Sequence, residues 1–263
     1  MLAVGRLRER SAAALATVTG NLYLLLGSLL FGLLTVATGW LSPRGNQMFR
    51  FGRLWGRGLL ASSGARLAVE FEAPLDRGGR YVFMPNHQSM YDIPAMFAAL
   101  PVQTRFMAKR SLFRIPVFGW AMKVGGFIPI DRADRSRARE AFVAAVDRLR
   151  EGASILIFPE ETRSWDGRLL PFERGGFLLA LKSGLPIVPV GIRGTGQVQR
   201  RRSLVIHPGP VKVVFGKPVP VAEFGLRGKR ELVAAVRGRV AELAGVRLAE
   251  EEAAADEVRA GRP

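Results

Sequence analysis

The distribution of hydrophobic and polar residues separates an apolar amino-terminal stretch from a longer region of short alternating patterns. No charged residue occurs from Ser11 to Pro43. Within that stretch, residues 22–40 read LYLLLGSLLFGLLTVATGW, close to the ~20 apolar residues with which a helix crosses a bilayer. A cleaved signal peptide fits less well, because the apolar run is long and no small-residue cleavage site clearly follows it. We therefore predict a helical membrane-anchoring segment over residues 1–57.

Arginines flank this apolar stretch on both sides: Arg6, Arg8 and Arg10 before it, and Arg44, Arg50, Arg53 and Arg57 after it. Because positive flanks resist transfer across a membrane, both ends and the region that follows are expected on the cytoplasmic side. A helical hairpin that breaks at Gly27, Gly32 or Gly39 would meet this requirement. An ordinary single span and a buried core helix are the alternatives.

From residue 58 to residue 248, short β-branched runs alternate with helical patterns. The runs that predict strands are Leu67–Phe71, Tyr81–Met84, Thr104–Ala108, Phe127–Ile130, Ser154–Phe158, Ile187–Ile192, Leu204–Ile206 and Val211–Phe215. Apolar residues recur at helical spacing in 136–150, where Asp134 is the predicted N-cap, and in 229–243. This alternation predicts an α/β domain with a mixed, largely parallel β-sheet flanked by helices. Residues 249–263 are expected to form a flexible tail.

The overall charge narrows the choice of partners. With 39 Lys and Arg against 22 Asp and Glu, the net charge is +17, so the chain is expected to face an anionic surface. We expect no nucleic-acid partner, because there is no zinc-finger spacing and no basic run interleaved with stacking aromatics. A basic surface beside an apolar segment indicates an anionic phospholipid membrane instead. The absence of cysteine excludes disulfides, thiolate metal sites and a cysteine nucleophile.

The first stretch with candidate chemistry is NHQSMYD, residues 86–92, which follows the apolar run 81–85. A histidine at the end of a buried strand, with an aspartate five residues later, is a plausible pair of base and orienting carboxylate. The alternative is structural: Asp92 as an N-cap of the next helix and His87 as a core histidine. Positions five apart on a helix diverge by about 140°, so the two side chains meet only if a loop separates them.

Three further stretches place distinctive residues at predicted strand ends, where α/β sheets usually carry their sites. They are GFIPIDR (126–132), FPEETRS (158–164) and IVPV (187–190). The guanidinium groups of Arg132 and Arg163 match the oxygens of a phosphate. Glu160 is suited to binding a hydroxyl or to bracing an arginine. The alternative for each is a surface ion pair.

Taken in order, these four stretches resemble the four sequence blocks of the 1-acylglycerol-3-phosphate O-acyltransferases, which make phosphatidic acid. NHQSMYD is similar to the first block, GFIPIDR to the second, FPEETRS to the third and IVPV to the fourth. Together they cover roughly residues 80–195. The resemblance implies a glycerol-3-phosphate acyltransferase-like fold and direct transfer of an acyl chain to a lysophospholipid acceptor.

The resemblance also implies a role for each matching residue. His87 would be the general base that takes the proton of a glycerol hydroxyl, and Asp92 would orient it. The residues that match positions holding the glycerol phosphate are Arg132, Glu160 and Arg163, with Lys109 at a neighbouring basic position. The donor would be acyl-CoA or acyl-carrier protein, and no metal or organic cofactor is expected.

One residue departs from the family pattern. Glu161 stands in the third block where the family normally has glycine, which permits a tight turn close to a bound phosphate. The added bulk and negative charge leave another lysolipid, or another hydroxylated lipid, open as the acceptor.

Two functions from other classes also remain open. Ser89 and His87 suggest a serine thioester hydrolase, although the chain has no Gly-x-Ser-x-Gly elbow at this position. A membrane-binding module without catalytic activity would also explain the basic and apolar surfaces.

Overall fold

Two amino-terminal helices pack against an α/β unit in the computed structural model, which describes residues 2–41, 45–130, 135–225 and 227–249. The helices are α1 (Leu2–Thr38), α2 (Asn46–Ser62), α3 (Asp92–Ala99), α4 (Phe118–Val124), α5 (Arg135–Arg150), α6 (Gly175–Ser183), α7 (Thr195–Val198) and α8 (Lys229–Ala244). The strands are β1 (Ala65–Phe71), β2 (Val82–Pro85), β3 (Thr104–Lys109), β4 (Ile128–Ile130), β5 (Ser154–Leu156), β6 (Ile187–Arg193) and β7 (Gly209–Phe215).

The strands form one sheet in the order β1, β7, β6, β2, β5, β3, β4. Neighbouring strands run parallel except β6 and β7, which are antiparallel. This confirms the predicted mixed, largely parallel sheet. Because β2 lies between β6 and β5, and β5 beside β3, the carboxyl ends of β2, β5 and β3 meet at one edge. The segments that follow these strands contain the NHQSMYD and FPEETRS stretches.

Helices cover both faces of the sheet, and the side-chain alternation of β2 shows the division. Phe83 joins the core formed with α2 and α3, whereas Val82 and Met84 join the core formed with α5, α6 and α8. All three side chains are fully buried. Strands buried on both faces read as continuous apolar runs, which is why β2 was recognisable in the sequence.

The two amino-terminal helices form an antiparallel hairpin. Thr19 Oγ1 donates a hydrogen bond to the Ser62 carbonyl (2.5 Å), and Trp55 Nε1 donates to Ser28 Oγ (3.1 Å). Within the described residues, the stretch Arg8–Leu41 is long and apolar enough to cross a membrane, and 22% of its most apolar window is buried.

The structure corrects three details of the predicted anchor. Gly27 and Gly32 are not break points, because α1 runs unbroken from Leu2 to Thr38; a short 3-10 turn, Gly39–Leu41, follows it. Gly32 instead permits close packing, since a Cβ there would lie 2.8 Å from the Val117 side chain. The predicted boundary at residue 57 falls inside α2, which continues to Ser62 and packs on α3.

Two local predictions were wrong, and others fall on undescribed residues. Residues 204–206 form no strand, because their backbone is bound by α1: Ile206 N–H donates to Thr17 Oγ1 and the Leu204 carbonyl accepts from Asn21 Nδ2. Asp92 is the first residue of α3 rather than its N-cap, which is Tyr91. The proposed N-cap Asp134 and residues 250–263 lie outside the described residues.

Candidate active site

His87 and Asp92 are in direct contact where β2 leads into α3. His87 Nδ1 lies 2.7 Å from Asp92 Oδ2, and the same oxygen accepts hydrogen bonds from the backbone N–H groups of Gln88 (2.7 Å) and Ser89 (2.9 Å). Asp92 is completely buried, whereas the His87 side chain is 12% exposed. With Nδ1–H donated to the carboxylate, the neutral ring carries its lone pair on Nε2, which suits a general base.

The loop that carries His87 is held by its neighbours in the motif. Asn86 bonds to Ile192 of β6 in both directions: its Nδ2 donates to the carbonyl and its Oδ1 accepts from the N–H. Ser89 Oγ donates to the Gln199 carbonyl (2.7 Å). These contacts bind the loop after β2 to β6 and to the segment after α7, and so fix the path of the loop. They explain why a short irregular segment can present His87 in a defined orientation.

The third block packs directly on His87. The Ser164 N–H donates to the His87 carbonyl (3.0 Å), and the Phe158 ring stacks on the imidazole with centroids 4.1 Å apart. Glu160 Oε1 accepts the His87 N–H (2.5 Å), and Oε2 accepts the Leu170 N–H (2.9 Å). The first and third blocks therefore form one unit around the histidine.

Glu160 is buried beneath the backbone of His87. Its carboxyl lies against the His87 backbone and does not line the cavity described below. Burial raises the pKa of Glu160 to about 7, against the lowering effect of the N–H groups of Leu170 and His87. The part of Glu160 in holding the glycerol phosphate stays a prediction.

A cavity of about 790 Å³ opens beside His87, within the ~300–1,000 Å³ typical of small-molecule sites. Its apolar wall comes from the helical hairpin, α3, α4 and β3, and includes Phe31, Phe51, Trp55, Phe97, Phe106 and Met122. Its polar lining includes His87, Lys109, Glu161, Arg163 and Arg201. The cavity is therefore suited to a ligand that has both an apolar chain and an anionic group.

Two of the predicted phosphate-binding residues line the cavity. Lys109 is exposed at the end of β3 and lines the cavity with His87. Arg163 is half-buried and lines it too; burial and, less strongly, nearby Arg201 lower its pKa, whereas Asp92 raises it. Arg132 lies outside the described residues. The IVPV residues are buried in the sheet beside β2, where they support it.

Arg201 and Trp165 were not recognised from the sequence. Arg201 lines the cavity, and its guanidinium lies 4.0 Å from the centroid of the Trp165 ring. The available signal was the run of three arginines at residues 200–202, together with an isolated tryptophan just after the third block. The two residues lie 36 positions apart in the sequence, so the folded chain was needed to show that they meet.

Ser89 does not have the surroundings of a nucleophile. It is fully buried, and its hydroxyl donates to the Gln199 carbonyl and accepts the Tyr91 N–H. A nucleophilic serine must reach the substrate and lie within hydrogen-bond distance of its base. The geometry therefore does not favour the serine hydrolase alternative.

Glu161 adopts the backbone conformation for which the family's glycine is suited. Its φ is 57°, and its N–H closes a turn onto the Phe158 carbonyl (3.0 Å). A left-handed conformation costs a non-glycine residue about 1–2 kcal/mol. Glycine avoids this cost, but it loses more conformational entropy on folding, which offsets part of the advantage. The side chain also adds a negative charge to the wall of the cavity.

We expect Glu161→Gly to raise the free energy of unfolding by about 0.5–1 kcal/mol, as measured by urea denaturation. Removal of the charge should also lower KM for a phosphate-bearing acceptor several-fold, since ~1 kcal/mol of repulsion is typical of partly solvated charges. Glu161→Gln is the matched control, because it removes the charge but keeps the strained backbone. An equal gain in stability for both variants would contradict the backbone explanation.

Comparisons with known proteins agree with this architecture. The family model described as Acyltransferase matches residues 66–193. The 1-acyl-sn-glycerol-3-phosphate acyltransferase of Escherichia coli (strain K12) is 35% identical over 221 residues, which cover 81% of this chain and 88% of that protein. The chloroplastic 1-acyl-sn-glycerol-3-phosphate acyltransferase BAT2 of Brassica napus is 39% identical over 139 residues, 52% of this chain.

The extent of the matches differs between relatives. The chain spans only 39% to 42% of the length of the chloroplast and algal relatives that it matches. The crystal structure of the 1-acyl-sn-glycerophosphate (LPA) acyltransferase, PlsC, from Thermotoga maritima superposes with a TM-score of 0.77 over 90% of this chain and 96% of that one. At 24% identity, this likeness shows the shared fold. The bacterial sequence matches, which cover most of both proteins, show that the chain belongs to the 1-acyl-sn-glycerol-3-phosphate acyltransferase family.

Proposed function

We propose that this protein transfers a fatty acyl chain from acyl-CoA or acyl-carrier protein to the free sn-2 hydroxyl of 1-acylglycerol 3-phosphate, giving phosphatidic acid. The observation that carries the proposal is the His87–Asp92 pair, which lies on the wall of a largely apolar cavity that Lys109 and Arg163 also line. Relatives that are 34–35% identical over most of their length are named for this activity.

The proposed reaction needs little beyond a base and positioning. His87 Nε2 takes the proton of the acceptor hydroxyl, and the oxygen attacks the thioester carbonyl. When the tetrahedral intermediate collapses, the carbon–sulfur bond breaks and the thiolate recovers the proton from His87. Asp92 stabilises the imidazolium between these steps. The thioester is already activated, so the proposed reaction requires no metal or organic cofactor.

The exposed face of α1 supports attachment to a phospholipid membrane. Leu25 and Leu29 are 68% and 47% exposed near the middle of the helix, and neighbouring leucines are exposed as well. An apolar patch of this extent is unusual on a protein surface in contact with water. We place the hairpin in the membrane and the α/β unit on its cytoplasmic side, where basic residues face anionic lipid. A lysophospholipid could then enter the cavity directly from the bilayer.

We expect the double substitution Leu25→Asp, Leu29→Asp to reduce the fraction of protein that pellets with phospholipid vesicles at least tenfold. The reason is that each aspartate costs about 2.5–3.5 kcal/mol at the centre of a membrane helix. Val143→Asp is the control, since Val143 is 52% exposed on α5 at the opposite face of the sheet. Unchanged pelleting of the double variant would contradict membrane insertion of α1.

A matrix of donors and acceptors tests the proposed activity. Purified protein in vesicles is incubated with acyl-CoA or acyl-carrier protein and with 1-acylglycerol 3-phosphate, glycerol 3-phosphate or a neutral lysolipid. The proposal predicts phosphatidic acid from the first acceptor, at a rate well above that of the other two. Preference for the neutral lysolipid would contradict the assignment of the acceptor and indicate that Glu161 redirects the site. Failure to acylate any acceptor would favour the membrane-binding module.

A further inference from the structure

Arg201 reaches the candidate active site from a part of the chain beyond the family's four blocks. It follows α7 and lies past residue 193, where the match to the Acyltransferase model ends. Its side chain nevertheless lines the same cavity as His87 and Arg163. Nothing in the four blocks requires a cation at this place, so its presence there calls for a separate explanation.

The loop that carries Arg201 is tied to the motif residues on two sides. Ser89 Oγ, two residues from His87, donates to the Gln199 carbonyl (2.7 Å). Arg201 Nη1 donates to the Arg163 carbonyl (2.6 Å). The position of Arg201 relative to His87 and Arg163 is therefore set by direct bonds to the first and third blocks.

Trp165 supports the Arg201 guanidinium from the third block. The guanidinium carbon lies 4.0 Å from the indole centroid, well within the ~6 Å of a cation–π contact. Stacking of this kind holds the planar group while leaving N–H donors in its plane free to bind another ligand. The indole itself is largely exposed and covers no apolar core. Its contacts with the arginine side chains therefore explain its position better than hydrophobic packing does.

Arg163 and Arg201 place two positive charges on the wall of one cavity. Burial lowers the pKa of Arg163 most, the Asp92 carboxylate raises it, and the charge of Arg201 lowers it. A ligand anion between the two guanidiniums would offset both the burial and the repulsion. Within the described part of the chain, buried Arg163 Nε has no hydrogen-bond partner. Two guanidiniums on one cavity wall, one of them with an unused donor, are suited to binding phosphate oxygens.

We propose that Arg201 binds the phosphate of the acceptor together with Arg163, and that Trp165 positions Arg201 for this contact. This inference rests on the acyl-transfer function proposed above and extends it to acceptor selection. A terminal phosphate monoester carries close to two negative charges near neutral pH and presents three oxygens. Two guanidiniums match this monoester better than they match a phosphodiester headgroup, which carries only one negative charge. Arg201 therefore favours lysophosphatidic acid over lysolipids with an esterified phosphate.

Arg201→Gln and Arg202→Gln form a matched pair for the test. Arg202 also lies over the Trp165 ring, at 4.9 Å, but it does not line the cavity. For Arg201→Gln, KM for 1-acylglycerol 3-phosphate should rise roughly 10- to 100-fold, the loss expected for charged hydrogen bonds, while KM for lysophosphatidylcholine changes less than twofold. Arg202→Gln should change neither value more than twofold. Equal effects of the two variants, or equal effects on both acceptors, would overturn the proposal.

Calorimetric binding of sn-glycerol 3-phosphate tests the role of Arg201 independently of the proposed acyl-transfer activity. Arg201→Gln should weaken binding at least tenfold, whether or not the wild-type protein proves to be an acyltransferase. Trp165→Ala should weaken it by a smaller factor, and Trp165→Phe should restore most of the affinity because the aromatic face is retained. Unchanged binding by Arg201→Gln, with thermal unfolding like that of the wild type, would overturn the role of Arg201.

Discussion

Replacing His87 by alanine is expected to lower kcat for acyl transfer by a factor on the order of 10²–10⁴, the range that general acid–base catalysis supplies. The imidazole is the base of the proposed reaction, and within the described residues it is the histidine that lines the cavity. KM for the acceptor should change little, because phosphate binding is assigned to Lys109, Arg163 and Arg201. Steady-state kinetics with acyl-CoA and 1-acylglycerol 3-phosphate provide the measurement.

His207→Ala is the matched control for this substitution. His207 is the second of the chain's two histidines, and it is exposed on the segment between α7 and β7. Its replacement should leave kcat within twofold of the wild type. If both variants retain full activity, His87 is not the base and the assignment of the first block fails. Vesicle binding of His87→Ala should match the wild type, because membrane contact is assigned to α1.

Asp92→Asn is expected to lower kcat by a factor on the order of 10³–10⁴, as in other enzymes whose catalytic histidine loses an orienting carboxylate. An asparagine oxygen can still accept the N–H groups of Gln88 and Ser89, so the loop should keep its path. What is lost is the negative charge beside Nδ1, which fixes the tautomer and stabilises the imidazolium.

Kinetics and urea unfolding measured together distinguish this catalytic loss from misfolding. Asp147→Asn on the exposed face of α5 is the control for the change in charge. The free energy of unfolding of Asp92→Asn should fall only slightly, too little for unfolding to account for the loss of activity. Retention of more than a third of the wild-type kcat would show that Asp92 is a structural residue only.

Much of the fold was predictable because its central strands are buried on both faces. β2 and β6 read as continuous apolar runs. The predicted strand at residues 204–206 was wrong for a reason that lies far away in the sequence. Its backbone groups bond to Thr17 and Asn21 of α1 instead of to another strand. A pattern of β-branched residues cannot reveal which partner the backbone will find.

The candidate site was predictable to the extent that it is local. His87 and Asp92 are five residues apart, and Pro85 and Pro94 on either side disfavour a continuous helix, which allows the irregular loop in which they meet. Asp92 both begins α3 and holds the histidine, so the structural and catalytic interpretations of this residue are compatible. The place of Glu160 beneath the His87 backbone depends on the pairing of β2 with β5, which no local pattern specifies. Arg201 likewise reaches the site through a contact with Arg163, 38 residues away, that no local pattern specifies.

The most direct test of acyl transfer by His87 is to measure thiol release from acyl-CoA and sn-2 acylation of 1-acylglycerol 3-phosphate in the same reaction. We expect one thiol released per phosphatidic acid formed by the wild-type protein, little thiol release without acceptor, and background rates of both for His87→Ala. Thiol release that proceeds equally without acceptor, or that survives His87→Ala, would contradict direct acyl transfer with His87 as the base.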